Sequence, residues 1–112
     1  MTMRALGAAK RLEADRVNLA VLQVPTIKPL DEEAILREAR RSGRLVVVAE
    51  NHSAVRGLGE AVAGVLLRAG LAPPFRRWAL PDGFLDAGAL PTLHDRYGIS
   101  AEAMAKSIKG WL

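Results

Sequence analysis

A polar loop in the middle of the chain holds most of the side chains that could do chemistry. Its residues of interest are Glu50, Asn51, His52, Ser53, Arg56, Gly57 and Gly59. The loop follows the β-branched run 45–49 and precedes an apolar helical pattern that begins at Leu58. Ligand sites of open α/β sheets lie where a strand ends and a helix begins. The loop is therefore a candidate anion-binding or interface loop, with helix N–H groups and the Arg56 guanidinium as donors.

Other chemistries at these residues are weaker. His52 and Ser53 are neighbours on an extended segment, where successive side chains point to opposite sides, and this disfavours a base and nucleophile pair. Gly57 and Gly59 have the spacing of neither the dinucleotide fingerprint nor the P-loop, and they suit a tight turn and close helix–strand packing. Because the chain has two histidines and no cysteine, a capping or core-edge role for His94 is favoured over a metal site.

Composition limits the class of protein. The chain has 112 residues, enough for one domain over residues 1–112 with one core. Its 16 Lys plus Arg and 12 Asp plus Glu are interspersed. The single basic-aromatic cluster is Arg76-Arg77-Trp78, and single-strand binders usually present several aromatics along a basic groove, so a nucleic-acid module is a third and disfavoured hypothesis. No apolar stretch approaches the roughly 18 residues of a membrane span, and the absence of cysteine fits a reducing compartment. We therefore expect a cytoplasmic protein with no membrane partner.

The apolar pattern predicts alternating helices and strands. Helices are expected over residues 3–15, 31–42, 58–68 and 91–96 and after Ser100, and strands over residues 18–24, 45–49 and 75–80. Single helices between strands predict a mostly parallel sheet with helices on both faces, which is a three-layer open α/β sandwich. Since the alternation opens with a helix, the first strand of such a sheet is expected to be absent. The unpaired backbone beside residues 45–49 or 21–24 would then favour self-association.

Three segments together resemble a known family. They are residues 24–31 (VPTIKPLD), residues 48–62 (VAENHSAVRGLGEAV), and residues 80–84 (LPDGF) with residues 93–101 (LHDRYGISA). Their order and spacing resemble the C-terminal domain of transketolases and deoxyxylulose-phosphate synthases, over about residues 4–112. Members of this family are thiamine-diphosphate enzymes that move a two-carbon ketol unit between sugar phosphates. The cofactor is held between two other domains, so the resemblance implies that this chain has no catalytic, cofactor-binding or metal-binding residue. Thiamine diphosphate and a divalent metal are implied for the full assembly alone.

The resemblance also implies partners and one departure. Expected partners are the thiamine-binding domains or subunit of a transketolase-like enzyme, and we expect a homo-oligomer such as a dimer. Arg56 stands where the family has the first glycine of a Gly-Gly-x-Gly turn. A positive φ at Arg56 would cost about 1–2 kcal/mol, so we hypothesise a rearranged loop.

Two functions remain open. The leading one is a non-catalytic C-terminal domain, or a fragment of a subunit truncated at its N-terminus, that acts in assembly of the enzyme. The alternative is a stand-alone small domain that binds an anion or nucleotide through residues 50–59.

Overall fold

The structure, a computed structural model, describes all residues from 1 to 112 and contains five helices and two strands. The helices are α1 (Thr2–Glu13), α2 (Glu32–Ala39), α3 (Leu58–Arg68), α4 (Leu90–Arg96) and α5 (Ala101–Trp111), and the strands are β1 (Val46–Ser53) and β2 (Phe75–Leu80). The five predicted helices and two of the three predicted strands are confirmed, with ends that shift by a few residues.

Local signals explain the starts of α2 and α5 and the end of α3. Asp31 precedes α2, and its Oδ1 accepts a hydrogen bond from the Ala34 N–H at 3.0 Å. Ser100 caps α5 in the same way, since its Oγ accepts from the Ala103 N–H at 3.3 Å. Gly70, just after α3, has a φ of +67°, which glycine adopts without steric cost. None of the helices is long and apolar enough to cross a bilayer.

The two strands form a parallel pair. Val46 lies opposite Phe75 and Val48 opposite Arg77, and the register shifts between Ala49 and Ser53. The intervening α3 supplies the crossover that parallel neighbours require. A hydrogen bond from the Ala54 N–H to the Leu80 carbonyl, at 2.9 Å, holds the two strand ends together after the irregularity.

Helices cover both faces of this pair. Val47 and Ala49 of β1 contact a cluster between α1 and α5 whose buried members are Ala8, Leu12, Trp78, Met104, Ala105 and Ile108. On the other face, Val48 belongs to a cluster with α2 and α3 whose other members are Ile35, Ala39, Val62, Val65 and Leu66. The alternation of side chains along β1 therefore builds two apolar layers, and the domain is an α/β domain with parallel strands.

The predicted strand over residues 18–24 is wrong. This run is extended coil, and residues 18–29 take part in no backbone hydrogen bond. Leu22 is 44% exposed, unlike the side chains at the centre of β1. An apolar run becomes a strand only when a neighbour satisfies its peptide groups, and no strand lies next to this one. The predicted three-stranded sheet is thus a two-stranded sheet with an apolar segment beside it.

Candidate functional site

The seven predicted loop residues lie together at the carboxyl end of β1, but they divide into two groups. Glu50, Gly57 and Gly59 are buried, whereas Asn51, His52 and Arg56 are exposed and Ser53 is half-buried. The buried group holds the turn in place. The exposed group forms the outer surface of the loop.

Glu50 closes the loop from within. Glu50 is only 7% exposed. Its two carboxylate oxygens accept hydrogen bonds from the Leu58 N–H at 2.7 Å and the Gly59 N–H at 2.9 Å. Both donors belong to the first turn of α3, where the helix dipole favours a negative group. The N–H groups that an external anion would need are therefore already hydrogen-bonded to the Glu50 carboxylate. A second negative group next to this carboxylate would be repelled.

Gly57 and Gly59 are needed because Glu50 lies so close. A Cβ atom at Gly57 would overlap the Glu50 carboxylate, although the φ of Gly57 is an ordinary −97°. A Cβ at Gly59 would lie 3.0 Å from Arg77 Cδ and 3.1 Å from Glu50 Oε1. The glycines thus allow α3 to approach β1 and β2, which supports the packing interpretation of this motif.

His52 and Ser53 form no catalytic pair. The Nδ1 of His52 is 3.0 Å from the Ser53 backbone carbonyl, which can only accept, so Nδ1 carries the hydrogen. The Ser53 hydroxyl donates to Asp82 Oδ1 at 3.2 Å and accepts from the Val55 N–H at 3.1 Å. These bonds stabilise the turn after β1 and tie it to the segment after β2, and they leave the hydroxyl without an imidazole.

Arg56 adopts the left-handed backbone conformation, which is sterically costly for residues other than glycine. Its φ is +59°, and its exposed guanidinium makes no hydrogen bond or ion pair. The hypothesis of a loop rearranged to avoid positive φ is therefore wrong. The loop keeps this conformation with an arginine, and the arginine points its charge at solvent.

The basic-aromatic cluster of β2 is part of the fold. Arg76 and Arg77 lie on opposite faces, as expected for neighbours on a strand. The Arg76 guanidinium lies 6.0 Å from the centroid of the Trp111 ring, and that ring lies 4.9 Å from Trp78. Arg77 Nη1 donates to the Ala54 carbonyl at 2.6 Å, and so braces the loop after β1.

His94 joins two helices. It is 7% exposed, and its Nδ1 lies 2.7 Å from Arg4 Nη2. Because a guanidinium can only donate, Nδ1 is the acceptor and the imidazole is neutral. Desolvation, and next the charge of Arg4, lower the pKa of His94 below its ordinary value of about 6.5. His94 has the core-edge role expected from the sequence.

Metal-ligating groups are not gathered anywhere in the fold. No three His, Cys, Asp or Glu side chains lie together in an arrangement that could hold a metal ion. An anionic cofactor would bind at the carboxyl end of β1, but there the buried Glu50 carboxylate already faces the N-terminus of α3. The residues of this chain therefore do not fit a metal-bound diphosphate, and we derive no chemistry through one.

Fold and site together define a small α/β domain whose strand-end loop is closed by its own carboxylate. The family model described as the transketolase C-terminal domain matches residues 1–104. The chain belongs to this family, whose full enzymes use thiamine diphosphate.

Curated relatives are much longer than this chain. It is 60% identical over 113 residues to an uncharacterized transketolase family protein of Sinorhizobium fredii, covering 100% of the chain and 33% of the relative. It is 38% identical over 107 residues to the 6-deoxy-6-sulfo-D-fructose transketolase subunit SqwH of a Clostridium species, covering 96% of the chain and 33% of that subunit. The 1-deoxy-D-xylulose-5-phosphate synthase of Syntrophotalea carbinolica is 39% identical over 110 residues, which are 96% of the chain and 17% of the synthase. The chain thus spans between one sixth and one third of these relatives.

Proposed function

We propose that this chain is the C-terminal domain or subunit fragment of a transketolase-like thiamine-diphosphate enzyme. The full assembly transfers a two-carbon ketol unit between sugar phosphates. The chain itself is non-catalytic and acts in assembly, as a single domain over residues 1–112. Its partners are the thiamine-binding domains or subunit, and a homo-oligomer such as a dimer is the expected final state.

The observation that carries this proposal is the family match over residues 1–104. It is supported by the share of each relative that the chain covers, since a third of the clostridial subunit corresponds to nearly all of this chain. That relative is named as a transketolase subunit, which is one part of a larger enzyme. A domain that corresponds to one third of such a subunit is suited to assembly with the remaining parts of the enzyme.

The loop geometry supports an interface over an anion site. The Glu50 carboxylate bonds the N–H groups of the α3 terminus, whereas Asn51, His52 and Arg56 present polar groups outwards from a braced turn. A rigid turn with exposed donors loses little conformational entropy when a partner covers it. We therefore assign the exposed group, Asn51, His52 and Arg56, to the contact with the thiamine-binding partner.

The experiment is reconstitution with a partner from a relative. The part of the Sinorhizobium protein outside the matched region would be expressed as a separate polypeptide and mixed with this chain. Sedimentation velocity is expected to show a complex. Ketol transfer, assayed with thiamine diphosphate and Mg²⁺, is expected in the mixture and not with either polypeptide alone.

A matched pair of charge reversals tests the loop. Arg56→Glu is expected to weaken the complex roughly tenfold, as loss of an interface arginine commonly does. The control is Arg11→Glu, since Arg11 is exposed on α1 and makes no ion pair, and it should change the affinity by less than about twofold. Ketose turnover by the isolated chain, or the absence of any complex, would contradict the proposed function.

A further inference from the structure

Three adjoining cavities lie between β1 and the coil of residues 19–24. Their volumes are about 170 Å³ on the side of α2 and α3, about 100 Å³ on the side of α1 and α5, and about 310 Å³ at the amino end of β1. Leu19, Ala20 and Val47 line all three. The cavities therefore form one slot that runs along β1 and opens towards both helical layers. We call it the β1 slot.

The backbone of β1 is unpaired on the side of this slot. The Val46 N–H donates to the Pro74 carbonyl at 2.9 Å, so Val46 and Val48 direct their peptide groups to β2. Alternation then directs the N–H and C=O groups of Leu45, Val47 and Ala49 into the slot, where they make no hydrogen bond. Unpaired peptide groups along an apolar strand form an edge to which another strand can add.

The opposite wall is equally unpaired. Residues 18–29 make no backbone hydrogen bond, yet Leu19, Ala20, Leu22 and Val24 line the cavity against the side chains of β1 and α2. An extended segment placed between the two walls could pair with the free edge of β1. Its alternate side chains would then enter the two helical layers.

These features specify the chemistry of the occupant. On the side of α1 and α5 the slot is lined entirely by apolar residues, Ala5, Ala8, Trp78, Met104 and Ile108 among them. On the side of α2 and α3 the charged residues are Glu38 and Arg44, which bind each other at 2.9 Å. A matching strand must therefore be apolar on both faces, as strands buried between two layers are. The length from Leu45 to Ala49 accommodates about five residues at about 3.3 Å each.

We propose that the β1 slot is a docking site for an uncharged, apolar β-strand donated by another polypeptide, which completes the sheet between β1 and residues 19–24. The source we assign is the thiamine-binding partner, and this assignment rests on the proposed function. Two thirds of the Sinorhizobium relative lie outside the region that matches this chain, so a partner of that kind has ample sequence to supply the strand.

A synthetic strand peptide tests the slot directly. The probe is acetyl-Lys-Thr-Val-Ile-Val-Val-Thr-Lys-amide, titrated into the full chain and followed by amide hydrogen exchange. Saturable binding is expected, with exchange at Val47 and Ala49 slowed roughly tenfold or more because these N–H groups gain partners. The matched control peptide has Pro in place of the second Val and should bind roughly tenfold more weakly, because Pro removes a ladder donor.

Variants of the chain add a second control. Ala20→Glu places a charge in the slot at a residue that is exposed in the structure, so the fold should be kept, and peptide affinity should fall roughly tenfold. Ala72→Glu changes an exposed residue outside the slot and should leave the affinity within about twofold. Equal binding of the two peptides, or unchanged exchange at Val47 and Ala49, would overturn the proposal. So would a dimer of the chain alone in which these two amides are already protected.

The complex used to test the proposed function separates the two claims. Protection of Val47 and Ala49 in that complex supports the slot as the docking site of the partner. A complex that forms and is active while both amides still exchange freely overturns this inference and leaves the proposed function standing. Peptide binding at the slot without any complex overturns the proposed function and the assigned source together, and leaves the slot as a strand-binding site.

Discussion

Two apolar runs of this molecule have similar composition and different structures. Residues 19–24 contain two leucines and two valines, and residues 45–49 contain one leucine and three valines. The second run forms the first half of β1 and pairs with β2, whereas the first is coil with no backbone hydrogen bond. Both runs touch the same cavities, Leu19 from one side and Val47 from the other. Their difference therefore lies in their neighbours and not in their side chains.

Apolar side chains can therefore place a segment against a core without making it a strand. A strand also needs a partner that bonds its peptide groups, and loss of those bonds in a buried place is costly. β1 has such a partner on one edge. Residues 19–24 have none, so they lie at the side of the core with Leu22 partly in solvent.

The largest expected effect is a difference in stability between two variants, one with a substitution in each run. Val48→Asp puts a carboxylate into the cluster between α2 and α3 and should cost more than about 3 kcal/mol of unfolding free energy, because no partner there can bind it. Leu22→Asp should cost less than about 1 kcal/mol, since this side chain can turn to solvent. Urea denaturation measures both. Equal losses would show that residues 18–24 are packed like β1.

Two glycine-to-alanine substitutions test the role of Glu50 at the end of β1. Gly57→Ala should cost about 2 kcal/mol, because the new Cβ would displace the Glu50 carboxylate from the N–H groups it binds. Gly64→Ala, inside α3, should stabilise the chain by about 0.5–1 kcal/mol, since its Cβ would meet only the flexible end of Arg68 at 3.3 Å. Thermal unfolding of the two variants provides the measurement. A harmless Gly57→Ala would contradict the role given to Glu50.

The pH dependence of stability tests the attachment of α1, the helix that leads into residues 18–24. Unfolded His94 gains a proton near pH 6.5, while the lowered pKa leaves the folded imidazole less protonated at that pH. The unfolded state then binds more protons, so stability should fall as the pH drops from about 7.5 through 6.5. Tm values measured across this range should fall less for His94→Asn, which keeps an acceptor for Arg4 and does not titrate. Parallel curves for the two proteins would refute the neutral, Arg4-bonded imidazole.

The smallest expected effect concerns backbone strain in the loop after β1. Arg56→Gly should raise the unfolding free energy by about 0.5–1 kcal/mol, because glycine adopts a φ of +59° without the steric cost that arginine bears. Arg16→Gly, at a φ of +60° after α1, is the matched control and should give a similar gain. Chemical denaturation of both variants checks this. A loss of stability at Arg56 alone would show that its side chain makes a stabilising contact.

Much of the fold could be predicted because its signals are local. Asp31 and Ser100 bond N–H groups three residues away, and Gly70 ends α3 with its own backbone conformation. The position of the loop at the carboxyl end of β1 followed from the order of the elements. The role of Glu50 did not follow, because it depends on how closely α3 returns to β1. A carboxylate directly after an apolar run, with two glycines seven and nine residues later, was the available signal.

By itself, the sequence determined the helices, their caps, two strands and the family of the domain, since each of these depends on residue types and short spacings. Tertiary structure alone decided that the third apolar run stays coil, that Glu50 takes the donors of α3, and that a slot remains beside β1. The physical reason is that hydrogen-bond partners of strands and buried carboxylates come from distant parts of the chain. Whether such partners are within reach is a property of the packed molecule.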